Sequence, residues 1–157
     1  MATLKQAVDD FLAQKRIAVV GVSRDPNQAA NLVYRTMRKA GYEVFAVNPN
    51  ADEVEGDPSY HDLATVPGAI DAAVVATPSA ASESVSRECA ERGISRVWLH
   101  RSFGQGRVSP DAAEFCHENG VTVIDGGCPM MFLPGTDIGH KCMRFVLNVT
   151  GRLPKEV

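Results

Sequence analysis

Five short, largely apolar runs constrain the fold of this 157-residue chain more than any other feature. They lie at Ile17–Val22, Tyr42–Val47, Asp71–Ala76, Arg96–Leu99 and Val121–Ile124. Their length predicts β-strands, and strands that are apolar on both faces need other elements to cover both faces. A chain with this pattern is therefore expected to bury a sheet between two layers.

Segments with apolar residues at helical spacing separate these strands. Helices are predicted over about Ala29–Lys39, Ala80–Arg92, Ser109–Asn119 and Ile138–Thr150. The third has strong start signals, because Ser109 can cap free N–H groups and Pro110 fits a first helical turn. The alternation predicts an α/β fold, a doubly wound, mainly parallel five-stranded sheet with helices on both faces.

The least regular segment lies between the second and third runs. Residues Ala51–Gly68 are rich in Asp, Pro and Gly, which predicts an irregular crossover with a short helix near Asp62–Thr65. No linker or internal repeat interrupts the alternation of strands and helices. At this length, one domain over residues 1–157 is expected.

Composition argues against several classes of partner. The formal net charge is -3 and no run of Lys or Arg stands out, so neither nucleic acid nor an anionic membrane is expected to bind. The first 16 residues alternate apolar and charged residues, unlike a signal peptide or a membrane span, and a cytoplasmic location is expected. Four dispersed cysteines, with no C-x-x-C pair, suit reduced thiols better than disulfides or a metal site.

Ligands of an open parallel sheet bind beyond the carboxyl ends of its strands, and the unusual polar and glycine residues of this chain fall there. In the first of these loops Gly21 permits a close turn, Ser23 offers a hydroxyl and Arg24 brings a fixed positive charge. The next helix aims its free N–H groups at the same place, which predicts a pyrophosphate site. His100 and Arg101 follow the fourth strand and are further candidates for phosphate contact.

The same loop departs from the NAD-binding fingerprint. Ser23 and Pro26 stand where that fingerprint has glycines. The second strand ends in Asn48-Pro49-Asn50, without the acid that holds a ribose diol or a basic residue that would read the phosphate of NADP. An NAD(P) site therefore stays an alternative with weaker support.

Several of these motifs, in their order along the chain, resemble the CoA-binding protein family, small relatives of the CoA-binding domain of the succinyl-CoA synthetase α subunit. The resemblance spans roughly Arg16 to Met131. It is carried by the V-V-G-x-S turn, the strand end V-N-P, a strand ending in T-P, the V-W strand and the late GGCPM segment. It implies a Rossmann-like fold in which the ADP moiety of coenzyme A or an acyl-CoA lies over the strand ends.

The resemblance also implies roles for individual residues. The phosphates would be cradled by Gly21, Val22, Ser23 and Arg24, the adenosine bordered by Asn48, Pro49 and Asn50, and the nucleotide flanked by Ala76, Thr77 and Pro78. Because Asn50 stands where the family often has a basic residue, the 3′-phosphate would need another cation, such as Arg24 or Arg35.

Cys128 is the one candidate that the sequence offers for a catalytic residue. It follows Asp125-Gly126-Gly127 at a strand end, where nearby N–H groups can favour a thiolate. No histidine or acid is placed by the sequence as its base, and no other general acid or base stands out, which favours a binding module over an enzyme. A Cys128-thiol enzyme and a regulatory subunit of a larger acyl-CoA enzyme remain alternatives, and both a homo-oligomer and a partner subunit are left open.

Overall fold

The computed structural model describes residues 2–100 and 109–133. The helices are α1 (Leu4–Leu12), α2 (Ala29–Lys39), α3 (Ser79–Glu91) and α4 (Pro110–Glu118). The strands are β1 (Arg16–Val20), β2 (Glu43–Val47), β3 (Glu53–Val54), β4 (Asp57–Tyr60), β5 (Ala72–Val75), β6 (Arg96–Leu99) and β7 (Thr122–Asp125). A 3₁₀ turn follows at Pro129–Met131. Across these residues, no helix combines the length and the apolar content that crossing a bilayer requires.

These strands form one sheet in the order β3-β4-β2-β1-β5-β6-β7. Every neighbouring pair is parallel except β3 and β4. The chain proceeds from β1 outward through β2 on one side, and β5, β6 and β7 continue on the other. The order therefore reverses between β1 and β5, and in open parallel sheets the ligand-binding crevice lies at the carboxyl ends of the strands on either side of such a switch point.

The predicted fold class is confirmed, and the five predicted strands are found with bounds that differ by at most two residues. The predicted strand count is wrong, because Ala51–Gly68 contributes β3 and β4 and the sheet has seven strands. A two-residue turn joins them, and its residues Glu55 and Gly56 have φ values of 54° and 77°. Two positive φ values are typical of the type I′ turn that suits a twisted hairpin.

The predicted short helix near Asp62–Thr65 is also wrong. The Asp62 carboxylate accepts the N–H of Thr65 at 2.9 Å, and the Thr65 hydroxyl donates to the Asp62 carbonyl at 3.0 Å. These side-chain bonds close a turn in place of a helix. The helix predicted at 138–150 lies outside the described residues.

Two apolar layers cover the sheet, as strands buried on both faces require. One layer contains α1, α2 and the 3₁₀ turn, and the other contains α3, α4 and the segment near Leu63. Trp98 on β6 is completely buried, meets Phe11 of α1 edge-on at 5.3 Å, and donates its indole N–H to the Gly126 carbonyl at 3.0 Å. Trp98 is thus a core residue with its polar atom satisfied.

Candidate functional site

The crevice at the switch point begins with Gly21, directly after β1. Its φ is +106°, and its N–H donates to the Val47 carbonyl at 2.9 Å. A Cβ on Gly21 would overlap the carbonyl oxygen of Ala76 and lie 3.0 Å from its carbonyl carbon. Only glycine therefore allows the loops after β1 and β5 to approach this closely.

Two carbonyl groups of the loop after β1, those of Val22 and Ser23, accept hydrogen bonds from side-chain donors. The Val22 carbonyl accepts from Asn48 Nδ2 at 2.8 Å, and the Ser23 carbonyl accepts from Asn31 Nδ2 at 2.7 Å. Loop carbonyls that are already paired do not oppose an anion at the same place. Within residues 2–100 and 109–133, the N–H groups of Val22 and Arg24 have no acceptor. The loop therefore has two N–H donors without an acceptor next to two carbonyls that are already paired.

Asn31 is a site residue that the sequence analysis missed. It lies in the first turn of α2, is completely buried, and accepts the N–H of Ser23 at 2.8 Å through Oδ1. Its amide also donates to Glu55 Oε1 at 2.7 Å, which links the loop to the β3–β4 hairpin. A polar residue among the core-facing positions of α2 was the available signal, but its partner Glu55 lies 24 residues away and could not be inferred.

Two helix N-termini flank the crevice without side-chain caps. Gln28 before α2 and Pro78 before α3 make no capping hydrogen bond. By contrast, Thr3 forms a capping box at α1, and Ser109 accepts the Ala112 N–H at α4. Free N–H groups at a helix start and the positive end of the helix dipole together favour an anion.

Arg24 and Asp25 stand side by side at the edge of the crevice. Arg24 is exposed and forms no hydrogen bond or ion pair within the described ranges. The Asp25 carboxylate accepts the Asn27 N–H at 3.0 Å and a second bond from Gln28 at 3.0 Å. These hydrogen bonds, that of Asn27 first, hold the pKa of Asp25 below its ordinary value. The carboxylate thus holds the turn, while the guanidinium is exposed and has no partner among the described residues.

The loops after β2 and β5 complete the edge. Asn48 accepts the Asn50 N–H at 2.8 Å while its amide holds the Val22 carbonyl, so its side chain is already used in building the loop. Pro49 and Asn50 are exposed. The Thr77 hydroxyl lies 3.2 Å from that of Ser82.

Comparison with known proteins identifies the family. Residues 15–134 match the family described as the CoA binding domain. This chain belongs to the CoA binding domain family.

Two relatives differ in the share of their length that aligns with this chain. YneT of Bacillus subtilis, an uncharacterized protein, is 36% identical over 114 residues, which are 73% of this chain and 82% of YneT. The alpha subunit of ADP-forming acetate–CoA ligase II from Pyrococcus furiosus is 28% identical over 128 residues, or 77% of this chain. This CoA binding domain spans only 28% of the length of that ligase subunit.

A solved structure confirms the Rossmann-like fold class. A hypothetical protein from Pyrococcus horikoshii OT3 matches with a TM-score of 0.74 and 24% identity, over 82% of this chain and 88% of that one. At that identity the likeness concerns the fold alone.

The remaining candidate residues of this CoA binding domain have different surroundings. Arg35 donates to Glu55 Oε1 at 2.7 Å and to the Pro26 carbonyl at 3.0 Å, so it is engaged in an ion pair. The side chain of Val22 is in the core, which leaves only its main chain for a ligand. The His100 N–H donates to the Val75 carbonyl at 2.9 Å. Arg101 lies outside the described residues.

The described cysteines of the domain are all buried. Cys128 is 4% exposed and packs in the core layer that contains α1 and α2. Burial raises the pKa of Cys89 and of Cys116, as expected for structural thiols. Within the residues that the structure describes, no three His, Cys, Asp or Glu side chains are grouped to hold a metal ion.

Proposed function

We propose that this protein binds coenzyme A or an acyl-CoA through its ADP moiety at the carboxyl ends of β1, β2 and β5, without catalysis of its own. The observation that carries the proposal is the Gly21 turn packed against Ala76, with unused N–H donors and Arg24 beside it. Membership of the CoA binding domain family supports CoA as the ligand.

The pyrophosphate is assigned to the main chain of Gly21–Arg24. Among the described residues, the N–H groups of Val22 and Arg24 in this loop have no acceptor, and the start of α2 that follows has no side-chain cap. Such donors suit phosphate oxygens, because they supply partial positive charge without a counter-ion of their own.

The adenosine is assigned to the space between the loops after β2 and β5. Asn48–Asn50 border it on one side and Ala76–Pro78 on the other, at strand ends on either side of β1. CoA carries a phosphate on its ribose, so a strand end without an acid suits it better than it suits NAD. Arg35 is paired with Glu55, and the proposal therefore gives the 3′-phosphate to Arg24.

A binding role without catalysis is supported by the state of Cys128. A thiol that attacks a thioester must reach it as a thiolate, and catalytic cysteines are accordingly partly exposed. Cys128 is buried, with 4% of its surface accessible. We expect a Cys128→Ser variant to bind CoA as tightly as the wild type, and acetyl-CoA to release no free CoA in either.

Calorimetric titration of the ligand-free protein with CoA, dephospho-CoA, ADP and NAD tests the proposal. CoA is expected to bind most tightly, dephospho-CoA and ADP more weakly, and NAD weakest. Acetyl-CoA should match CoA, since the acyl end is remote from the ADP moiety. Absence of CoA binding by folded protein would overturn the proposal, and tighter binding of NAD would favour a nicotinamide site instead.

A further inference from the structure

The side-chain amide of Asn31 forms hydrogen bonds with two segments that are remote from each other in sequence, the loop after β1 and the β3–β4 hairpin. Its Oδ1 accepts the Ser23 N–H at 2.8 Å, while Nδ2 donates to the Ser23 carbonyl and to Glu55 Oε1, each at 2.7 Å. An amide has only two N–H donors, so both are in use. Neither polar group of the Ser23 main chain is therefore available to a ligand.

Glu55 orients this amide from the hairpin turn. It is the one non-glycine residue with positive φ in the part of the chain that the structure describes, at 54°. Its side chain is 10% exposed, and Oε1 accepts from both Asn31 and Arg35 at 2.7 Å. A carboxylate this buried needs such partners, and a backbone held in a sparsely populated region needs contacts that fix it.

Arg35 extends the same network to the far end of the loop. While paired with Glu55, it donates to the Pro26 carbonyl at 3.0 Å. Ser23 and Pro26 are thus both tied to α2, and both ties pass through side chains that Glu55 holds. The loop conformation depends on the β3–β4 hairpin, which no local feature of the loop would indicate.

We infer that Asn31, oriented by Glu55, is a positioning residue for the phosphate loop, an inference that rests on the proposed CoA site. By engaging both polar groups of Ser23, Asn31 leaves the N–H groups of Val22 and Arg24 as the loop's donors for the pyrophosphate. Glu55 also keeps Arg35 in an ion pair, away from the phosphates. A buried amide and a hairpin carboxylate thus decide which donors the ligand meets.

The test replaces Asn31 and measures binding of two ligands that share the pyrophosphate. Asn31→Leu, which keeps the branched shape of the side chain but is larger, and the smaller Asn31→Ser are titrated with CoA and with ADP. Each Kd is expected to rise about tenfold or more, by the same factor for both ligands, because loss of positioned hydrogen bonds acts on the shared group.

Tyr34→Phe is the matched control on the same helix. The Tyr34 hydroxyl donates to Asp57 Oδ2 at 2.7 Å, so this change also removes a bond between α2 and the hairpin, but one that does not involve the loop. Its Kd for CoA is expected to equal that of the wild type. An equal rise in the Kd for CoA in Tyr34→Phe would overturn the assignment to Asn31. A general loosening of the hairpin would then explain the weaker binding in the Asn31 variants.

Amide hydrogen exchange at Ser23 in the ligand-free protein gives a readout that is independent of binding. Protection of this N–H is expected to fall in the Asn31 variants and to be retained in Tyr34→Phe. If Asn31→Leu does not fold, Asn31→Ser decides the matter by the same two measurements.

The wild-type titration separates the two ways to fail. If the wild type does not bind CoA, the proposed function fails and the positioning role falls with it. If the wild type binds CoA and a folded Asn31 variant binds CoA and ADP as tightly, the proposed function stands and only the positioning role is overturned.

Discussion

Two arginines near opposite ends of β1, Arg16 and Arg24, have very different surroundings. At the amino end of β1, Arg16 donates to Glu43 at 2.6 Å, to the Ala69 carbonyl at 2.7 Å and to the Pro67 carbonyl at 2.6 Å. Its guanidinium also lies 4.6 Å from the centre of the Phe45 ring. At the carboxyl end, Arg24 is exposed and has no partner in the described ranges. The first guanidinium stabilises the fold, and the second is the one that our proposal assigns to the ligand.

Other amino-end charges follow the same rule. Arg92 donates to the carbonyls of Val66 and Gly68, and Arg96 pairs with Asp10 of α1 at 2.6 Å. These contacts tie crossovers and α1 to the sheet. The difference teaches that charged residues stabilise the amino end of the fold. At the carboxyl end, where parallel-sheet proteins bind ligands, Arg24 and the N–H groups of Val22 and Arg24 have no partner among the described residues.

Gly21→Ala is expected to have the largest effect, because it acts on the fold and on the carboxyl-end site together. The added methyl group would overlap the Ala76 carbonyl at a φ of +106°. We expect a loss of about 2–4 kcal/mol in the free energy of unfolding, from overlap and backbone strain, and no measurable CoA binding. Urea denaturation and calorimetry measure the two quantities.

Gly120→Ala is the control for Gly21 at the opposite end of the sheet. Gly120 has φ +69°, but nothing lies within 4 Å of an added Cβ. Only backbone strain remains, about 1–2 kcal/mol, and CoA binding should be unchanged. A Gly21→Ala protein that binds CoA like the wild type would contradict the close approach of the two loops.

Arg16→Met tests the amino end alone. The change keeps the aliphatic stem but removes three hydrogen bonds and the ring contact. We expect the free energy of unfolding to fall by about 1–3 kcal/mol, since charged donors to main-chain carbonyls are lost. The Kd for CoA should stay within about twofold, because the change is remote from the site. A large rise in the Kd for CoA, measured on Arg16→Met protein that is still folded under the assay conditions, would show that the two ends are not independent.

Arg24→Ala is the reciprocal experiment. Stability should change by less than about 0.5 kcal/mol, as for an exposed residue that has no partner in the part of the chain that the structure describes. Binding of CoA should weaken by about 1–3 kcal/mol, roughly 5- to 150-fold in Kd, with a shallower dependence on salt. Arg87→Ala is the control, because Arg87 is an exposed arginine paired with Glu83 on α3. Equal Kd values for CoA in Arg24→Ala and Arg87→Ala would show that Arg24 does not contribute to CoA binding.

Burial explains which parts of this fold could be predicted from sequence. β1, β5 and β6 are buried along most of their length, and such strands leave continuous apolar runs. β4 is a half-exposed D-P-S-Y segment with no such signature. The Glu-Gly pair that turns the hairpin is also not one of the Asn-Gly or Asp-Gly pairs that indicate such a turn.

The residues of the candidate site also differ in how far the sequence predicts them. Gly21 could be predicted because a strand-to-helix turn needs its φ, and the loops followed from the strand ends. Arg35 was visible as a charge, but its pairing with Glu55 depends on the hairpin, as does the role of Asn31. Contacts made through a tertiary partner carry no local pattern in the sequence.

The smallest expected effect is the response of an amino-end pair to acid. The pKa of Asp57 at the start of β4 is lowered, chiefly because Tyr34 donates to its carboxylate and also because Arg38 pairs with it. A lowered pKa contributes stability above the ordinary Asp pKa of about 3.9, and this contribution is lost as pH falls through the lowered value.

Solvent screens this pair, because the Asp57 side chain is 38% exposed, so only a shallow decline is expected below about pH 4. Urea denaturation from pH 7 to pH 3 measures that decline, and Asp57→Asn should flatten it while lowering stability at pH 7. The same variant should leave the Kd for CoA at pH 7 unchanged, since Asp57 is tied to α2 by bonds that bypass the phosphate loop. A higher Kd for CoA in Asp57→Asn would mean that a charge at the amino end of the sheet affects CoA binding at the carboxyl end. The two ends would then not be independent of each other.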